Sequence, residues 1–161
     1  MRAFPAMRLK ILWPGKTKSP ELRALQDFYA ARIGALATLE VVETREARGV
    51  DEKFPEKIKD LEARGLEKYL EGVYSICLLD RGKEMTSPEF ARFLRLRAED
   101  AGRPPAFVVG GFLGLADRIT EGADLRLSLS RLTFSHELSR VILLEQVYRA
   151  LTIIRGRHYA K

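Results

Sequence analysis

Short apolar runs alternate with stretches of helical spacing along the whole chain, and this alternation restricts its folds more than any other feature. Leu9–Trp13, Leu39–Val42, Val73–Leu79, Ala106–Val109 and the period-two run Leu125–Leu129 read as strands. Val73–Leu79 is almost wholly apolar, as a strand covered on both faces must be. Between them, Ser19-Pro20 opens a helix carrying Leu22, Leu25, Phe28, Tyr29 and Ile33, and Glu52–Leu66 reads as a charged, exposed helix. Thr86 and Glu89 form a capping box with Pro88 inside the first turn, and Gly102 is expected to end that helix. A short helix covers Leu115–Thr120, and the longest runs from His136 to Ile154 with Ser135 as its cap. The order predicts an α/β fold, a mainly parallel sheet flanked by helices. With 161 residues and no linker or repeat, residues 1–161 are expected to form a single domain.

Composition removes several classes of function. The longest apolar stretch, Ala106–Ala116, is interrupted by Gly110, Gly111 and Gly114 and falls short of the roughly 20 residues a membrane-spanning helix needs. Cys77 is the only cysteine and His136 and His158 the only histidines, so an internal disulfide is excluded and a zinc or other metal site is not expected. The first residues lack an apolar core followed by a small-residue cleavage site, so no secretory leader and a cytoplasmic location are expected.

The net charge of +6 is unevenly placed. Residues 1–19 hold five basic side chains and no acid, and residues 129–161 carry six against Glu137 and Glu145. Basic ends around a mildly acidic middle suit a polyanion such as RNA if the fold brings the ends to one face; otherwise they are solvated ends. The last helix adds a second clue. Val141, Leu143, Leu144, Val147, Tyr148, Ala150, Leu151 and Ile154 span about half its circumference. That arc is wider than one sheet requires, so the helix is either sandwiched within the domain or faces a second copy, and a homodimer through it is the expectation.

Chemistry concentrates at two turns and the tail. Gly110-Gly111-Phe112-Leu113-Gly114 follows a strand and precedes a helix; it is neither the dinucleotide G-x-G-x-x-G nor a phosphate loop ending in Gly-Lys-Ser/Thr. It is either a ligand contact or a tight turn. The segment 129–136 offers amides, three hydroxyls, Arg131 and His136 at a helix start, which suits anions or polar rings. A hydrolase triad from Ser130, Ser135 and His136 is excluded by the missing G-x-S-x-G. Arg155, Arg157, His158, Tyr159 and Lys161 interleave basic groups with a ring, a pattern that holds phosphates and stacks on bases.

The run Phe107–Gly111, the turn at Leu115, the block LSLSRLTFSHEL (Leu127–Leu138) and RVILLEQVYRALTIIRG (Arg140–Gly156) together resemble the RlmH family of the SPOUT methyltransferase superfamily. The resemblance runs from Met7 to Lys161, so residues 1–6 read as an N-terminal extension. It implies a C-terminal trefoil knot, a homodimer, S-adenosyl-L-methionine as cofactor, and methylation of N3 of a pseudouridine in 23S rRNA of the large ribosomal subunit. Carried over position by position, it places the cofactor against Leu78, Leu79, Gly110, Gly111, Leu129, Ser130, Arg131, Leu132, Thr133 and Phe134. It leaves the catalytic group open, with Arg140 as a source of charge and His136 as a base. RNA contacts fall to Arg155, Arg157, His158, Tyr159 and Lys161. Phe112, Ser135 and Ala160 depart from the family, which more often has Pro or Ser, Pro, and His there. The alternative is a non-enzymatic, RNA- or ribosome-binding dimeric α/β protein.

Overall fold

The computed structural model describes residues 6–159, so Lys161 lies outside the described residues. The strands are β1 (Arg8–Pro14), β2 (Thr38–Thr44), β3 (Tyr74–Glu84), β4 (Pro105–Val108) and β5 (Leu125–Ser128). The helices are α1 (Pro20–Gly34), α2 (Pro55–Glu67), α3 (Ser87–Glu99), α4 (Asp117–Glu121) and α5 (His136–Ile154). They build one sheet in the order β2-β1-β4-β3-β5, every neighbouring pair parallel. All five carboxyl ends therefore meet at a single edge.

Period-two alternation sorts the core into two layers. Ile11 and Trp13 face one side, where Phe107, Ile76 and Leu9 pack against Ile33 of α1, Phe90 and Leu94 of α3, and Leu143, Leu144, Val147 and Leu151 of α5. Leu12, Cys77 and Val108 face the other side, against Ala63 and Leu66 of α2 and Ile119 of α4. The caps act as their residue types predict. Ser19 accepts from the Leu22 amide, Thr86 and Glu89 close a full capping box, and Ser135 accepts from the Leu138 amide.

Four expectations need correction. α5 is sandwiched between α1 and α3 on the sheet, so its wide apolar arc is used within one chain and gives no argument for a dimer. α2 begins at Pro55 because Asp51 first closes a turn, its backbone carbonyl and carboxylate accepting from the amides of Phe54 and Lys53. That helix is also not wholly exposed, since Glu62, Ala63 and Leu66 are buried. α3 ends at Glu99, ahead of Gly102, because the Asp100 carboxylate takes the Gly102 amide in a following turn.

Candidate cofactor pocket

β4 delivers the chain into a glycine turn whose geometry excludes side chains. The Val109 amide still pairs with the Leu12 carbonyl (2.9 Å), after which Gly114, at φ +86°, folds back to donate to the Gly111 carbonyl (3.0 Å). A Cβ on Gly110 would stand 2.8 Å from the Gly114 carbonyl carbon. One on Gly111 would stand 2.8 Å from Oε1 of Glu62 and 3.3 Å from Cγ of Pro14. Both glycines thus let the turn close on itself and on its neighbours. Substituents there would point into protein, away from ligand space.

A second wall comes from the end of β3. Its register against β5 jumps between Leu78 and Lys83, so residues 79–82 bulge out of the ladder. The Ser128 hydroxyl lies within hydrogen-bond reach of the Asp80 and Ser130 carbonyls (3.1 and 2.9 Å), tying this bulge to the β5–α5 loop. That loop is braced in turn by the Leu132 amide, which donates to Oγ of Ser130 (3.0 Å).

The three segments enclose a cavity of about 480 Å³ at the carboxyl edge of the sheet. That is within the range of small-ligand sites, roughly 300–1,000 Å³. Leu78, Leu79, Gly110, Gly111, Leu129, Ser130, Leu132, Thr133 and Phe134 line it. Arg131 does not: its side chain is 88% exposed and turns outward to Glu84 at 3.5 Å. A guanidinium flanked by an outward carboxylate gains more from water than from the mostly apolar cavity. Asp80, Phe112 and Ser139, none of them among the expected cofactor contacts, also line the cavity. Asp80 was legible in principle, as the first acid after an apolar strand at the ligand-binding edge. Phe112 (70% exposed) and Leu132 (73%) form an apolar lip.

Among the described residues that line the cavity, two are ionisable, Asp80 and His136. Burial, then the charges of Arg140 and Lys18, lower the His136 pKa below its usual value, with Glu137 and Glu46 opposing. Its imidazole is therefore neutral at neutral pH and able to take a proton.

Arg140 is placed elsewhere than its candidacy for catalysis required. It is 1% exposed and stays behind the pocket wall. Its guanidinium donates to the carbonyls of Pro14 (2.8 Å) and Gly15 (3.2 Å) and to Oγ1 of Thr17 (3.0 Å), and stacks over Trp13 at 4.9 Å. Burial lowers its pKa to about 10, while Glu137, Glu43, Glu46 and Glu62 favour the charge, so it remains a cation. Its neighbour Glu137 accepts the amides of Lys18 (2.9 Å) and Ser19 (3.0 Å). Both side chains hold the β1–α1 loop to the start of α5.

The tail sits at the other end of α5. The Arg155 guanidinium donates to the Leu36 carbonyl (2.5 Å), and the Arg157 amide to the Thr152 carbonyl (2.9 Å). The Tyr159 ring meets Tyr148 edge-on at 4.9 Å and lies under the Arg149 guanidinium at 4.5 Å. His158 is exposed. Twelve residues of helix, about 18 Å, separate Tyr148 from His136. Tyr159 therefore does not brace the tail over the pocket of its own chain.

A glycine turn, a bulged strand end and a capped helix start, converging on the carboxyl edge of a parallel sheet, define a small-ligand α/β site, and known proteins specify which. Residues 7–160 match the family model described as "Predicted SPOUT methyltransferase". A ribosomal RNA large subunit methyltransferase H from Geobacter metallireducens is 44% identical over 154 residues, covering 95% of this chain and 98% of that one. The protein of the same name from Thermodesulfovibrio yellowstonii is 39% identical over 152 residues, 94% and 97% of the two chains. Among solved structures, a probable methyltransferase from Bordetella pertussis shares the fold at a TM-score of 0.56 and 16% identity, over 90% of this chain and 95% of that one. The chain belongs to the SPOUT methyltransferase family, within the group of large-subunit methyltransferases H. Methyltransferases of this family take their methyl group from S-adenosyl-L-methionine.

Proposed function

We propose that this protein methylates N3 of a pseudouridine in 23S rRNA of the large ribosomal subunit, working in the cytoplasm as a homodimer. The observation that carries the reading is the cavity between the glycine turn, the β3 bulge and the β5–α5 loop. Its apolar lining suits a purine and a thioether, and the Asp80 carboxylate suits a cationic donor. When bound, S-adenosyl-L-methionine supplies an activated methyl group, so the protein's work is alignment and removal of one proton. The neutral imidazole of His136 accepts the proton that leaves N3. Asp80 and the backbone of the glycine turn hold the donor. The knotted passage of the C-terminal segment, implied by the family resemblance, belongs to the same reading.

The exposed apolar lip of Phe112 and Leu132, with half-exposed Leu138 on the first turn of α5, supports pairing with a second copy at the pocket mouth. Light scattering at micromolar concentration checks this; a monomer overturns it. Incubation with isotopically labelled donor and large subunits lacking the modification, followed by mapping of the methyl, tests the activity. Label at N3 of one pseudouridine is expected. No donor binding by calorimetry would favour the non-enzymatic RNA-binding protein, which has no need of a pocket for the donor.

A further inference from the structure

Two loops at the pocket's edge of the sheet have backbones tethered by buried side chains, and each carries cationic side chains outside any ion pair among the described residues. The β1–α1 loop, residues 15–19, is held with the end of β1 by the Arg140 guanidinium, on the Pro14 and Gly15 carbonyls and the Thr17 hydroxyl, and by the Glu137 carboxylate on two amides. The β2–α2 loop is held by the Ala47 amide, which donates to Oε2 of buried Glu62 (3.2 Å). The loops are also fastened together. The Gly15 amide donates to the Thr44 carbonyl (2.8 Å), and Nζ of Lys18 meets Oε1 of Glu46 at 3.2 Å. Buried charges are costly unless paired, so this expenditure on two surface loops asks for a purpose.

The β1–α1 loop displays Lys16 and Lys18 and no acid, while the β2–α2 loop displays Arg45 and Arg48 near its start and Asp51, Glu52 and Lys53 near its end. Lys16, Arg45 and Arg48 are exposed, and no ion pair engages them among the described residues. Most nearby acids are occupied: Glu46 with Lys18, Glu137 with the amides of 18 and 19, Glu43 with Trp13 and Arg23, Asp51 with the Lys53 amide, and Glu62 beneath the surface, while exposed Glu52 stands beside Lys53 at the end of the loop. Because the sheet is wholly parallel, both loops share an edge with the cavity. Pro14 touches the space beside Gly111, and Glu137 follows His136. The opposite edge is mixed in sign, with Glu71, Asp100 and Asp124 in its loops, Arg103 paired with Asp124 at 2.7 Å, and Lys68 exposed after α2.

We propose that Lys16, Arg45 and Arg48 form a preformed ledge for the phosphate backbone of the RNA substrate, feeding the target base into the adjacent pocket. The inference rests on the RNA-methyltransferase reading and goes beyond it by naming the docking surface. A loop ordered only on binding pays backbone entropy at that moment, a cost that Arg140, Glu137 and Glu62 meet in advance. RNA is the occupant because spaced point charges on fixed backbone match a phosphate chain, and they adjoin a pocket for a base.

The test compares wild type with Lys16→Ala/Arg48→Ala, with Lys16→Gln, and with Lys68→Ala at the opposite edge. Binding to poly(U) is measured against salt, and methyl transfer to unmodified large subunits is measured at varied subunit concentration. The double variant is expected to raise KM for subunits about tenfold, keep kcat, and lower the salt slope by about 1.4, since each lost single-strand contact removes about 0.7. Lys16→Gln should lose about half as much slope, and Lys68→Ala none. Calorimetric affinity for S-adenosyl-L-methionine should be unchanged in all variants, which also reports the integrity of the fold. Unchanged salt slope and KM in the double variant overturn the ledge. A wild type that transfers no methyl to subunits overturns the functional reading instead, while the poly(U) slopes still decide the ledge.

Discussion

At its first turns α5 is held by a buried guanidinium and a carboxylate, and at its last by ring faces, backbone contacts and the Arg155 guanidinium on the Leu36 carbonyl. Near His136, one guanidinium and one carboxylate satisfy five polar groups of a loop more than a hundred residues away in sequence. Near Tyr159, ring contacts with Tyr148 and Arg149 and side-chain hydrogen bonds with Tyr29 and Glu145 hold the tail to the helix surface. Charge networks out of water are stiff, because every lost partner leaves a group unsolvated. Ring contacts on a partly exposed surface yield more easily, because water replaces them at small cost. The stiff end of the helix is the one that lines the cavity, and the looser end carries the tail.

The comparison breaks most visibly if Arg140 is replaced. Arg140→Met keeps much of the volume but orphans the Pro14 and Gly15 carbonyls, and should cost about 3–5 kcal/mol in urea unfolding. A loss under 1 kcal/mol would mean the clamp is ornamental.

Next comes Gly110→Ala, whose methyl meets the Gly114 backbone at 2.8 Å, where no rotamer change relieves it. A cost of about 1–3 kcal/mol is expected, with donor affinity reduced because the turn must open. Gly111→Ala meets mostly the far end of the Glu62 side chain, so its effect should be the smaller of the two. Equal effects would show that the turn fails for some reason other than crowding.

At the other end, Tyr159→Ala should cost only about 1 kcal/mol and leave donor affinity unchanged. Affinity lost by calorimetry in that variant would place the tail in a pocket, its own or a partner's.

The smallest expected effect is one of pH. Because burial lowers the folded pKa of His136 below the ordinary 6.5, the unfolded chain binds the extra proton first as pH falls. Stability should therefore decline as pH drops from about 6.5 through the lowered folded value, by a fraction of what Arg140→Met costs. The methyl-transfer rate should fall over the same acid limb. His136→Gln should flatten the limb, and an unchanged profile would remove His136 as the base.

Much of this molecule was legible from local pattern. Short apolar runs, one of them period-two, located all five strands, and Ser19, Thr86 with Glu89, and Ser135 announced their helix starts, because a cap needs only its own first turn. The pocket's position followed as well, since a glycine turn after a buried strand in a parallel sheet opens at the carboxyl edge. Arg131 was misplaced because a loop's direction depends on what braces it, here Ser128 and the Asp80 carbonyl from another strand.

What the sequence determined by itself was therefore whatever depends on neighbours within a few residues: element type, capping, and the side of the sheet each strand residue faces. The tertiary structure alone decided how long-range partners spend the charged and apolar groups. Arg140 lies in an apolar helical arc, and only Pro14, Gly15 and Thr17 arriving from β1 make it a clamp rather than a catalyst. Glu62 reads as one more acid on a charged helix until Gly111 and Ala47 close over it. The wide arc of α5 fits a dimer or a sandwich equally well until α1 and α3 cover it. The reason is the same in each case: burial free energy depends on what surrounds a group in space, and sequence spacing does not record surroundings assembled from distant segments.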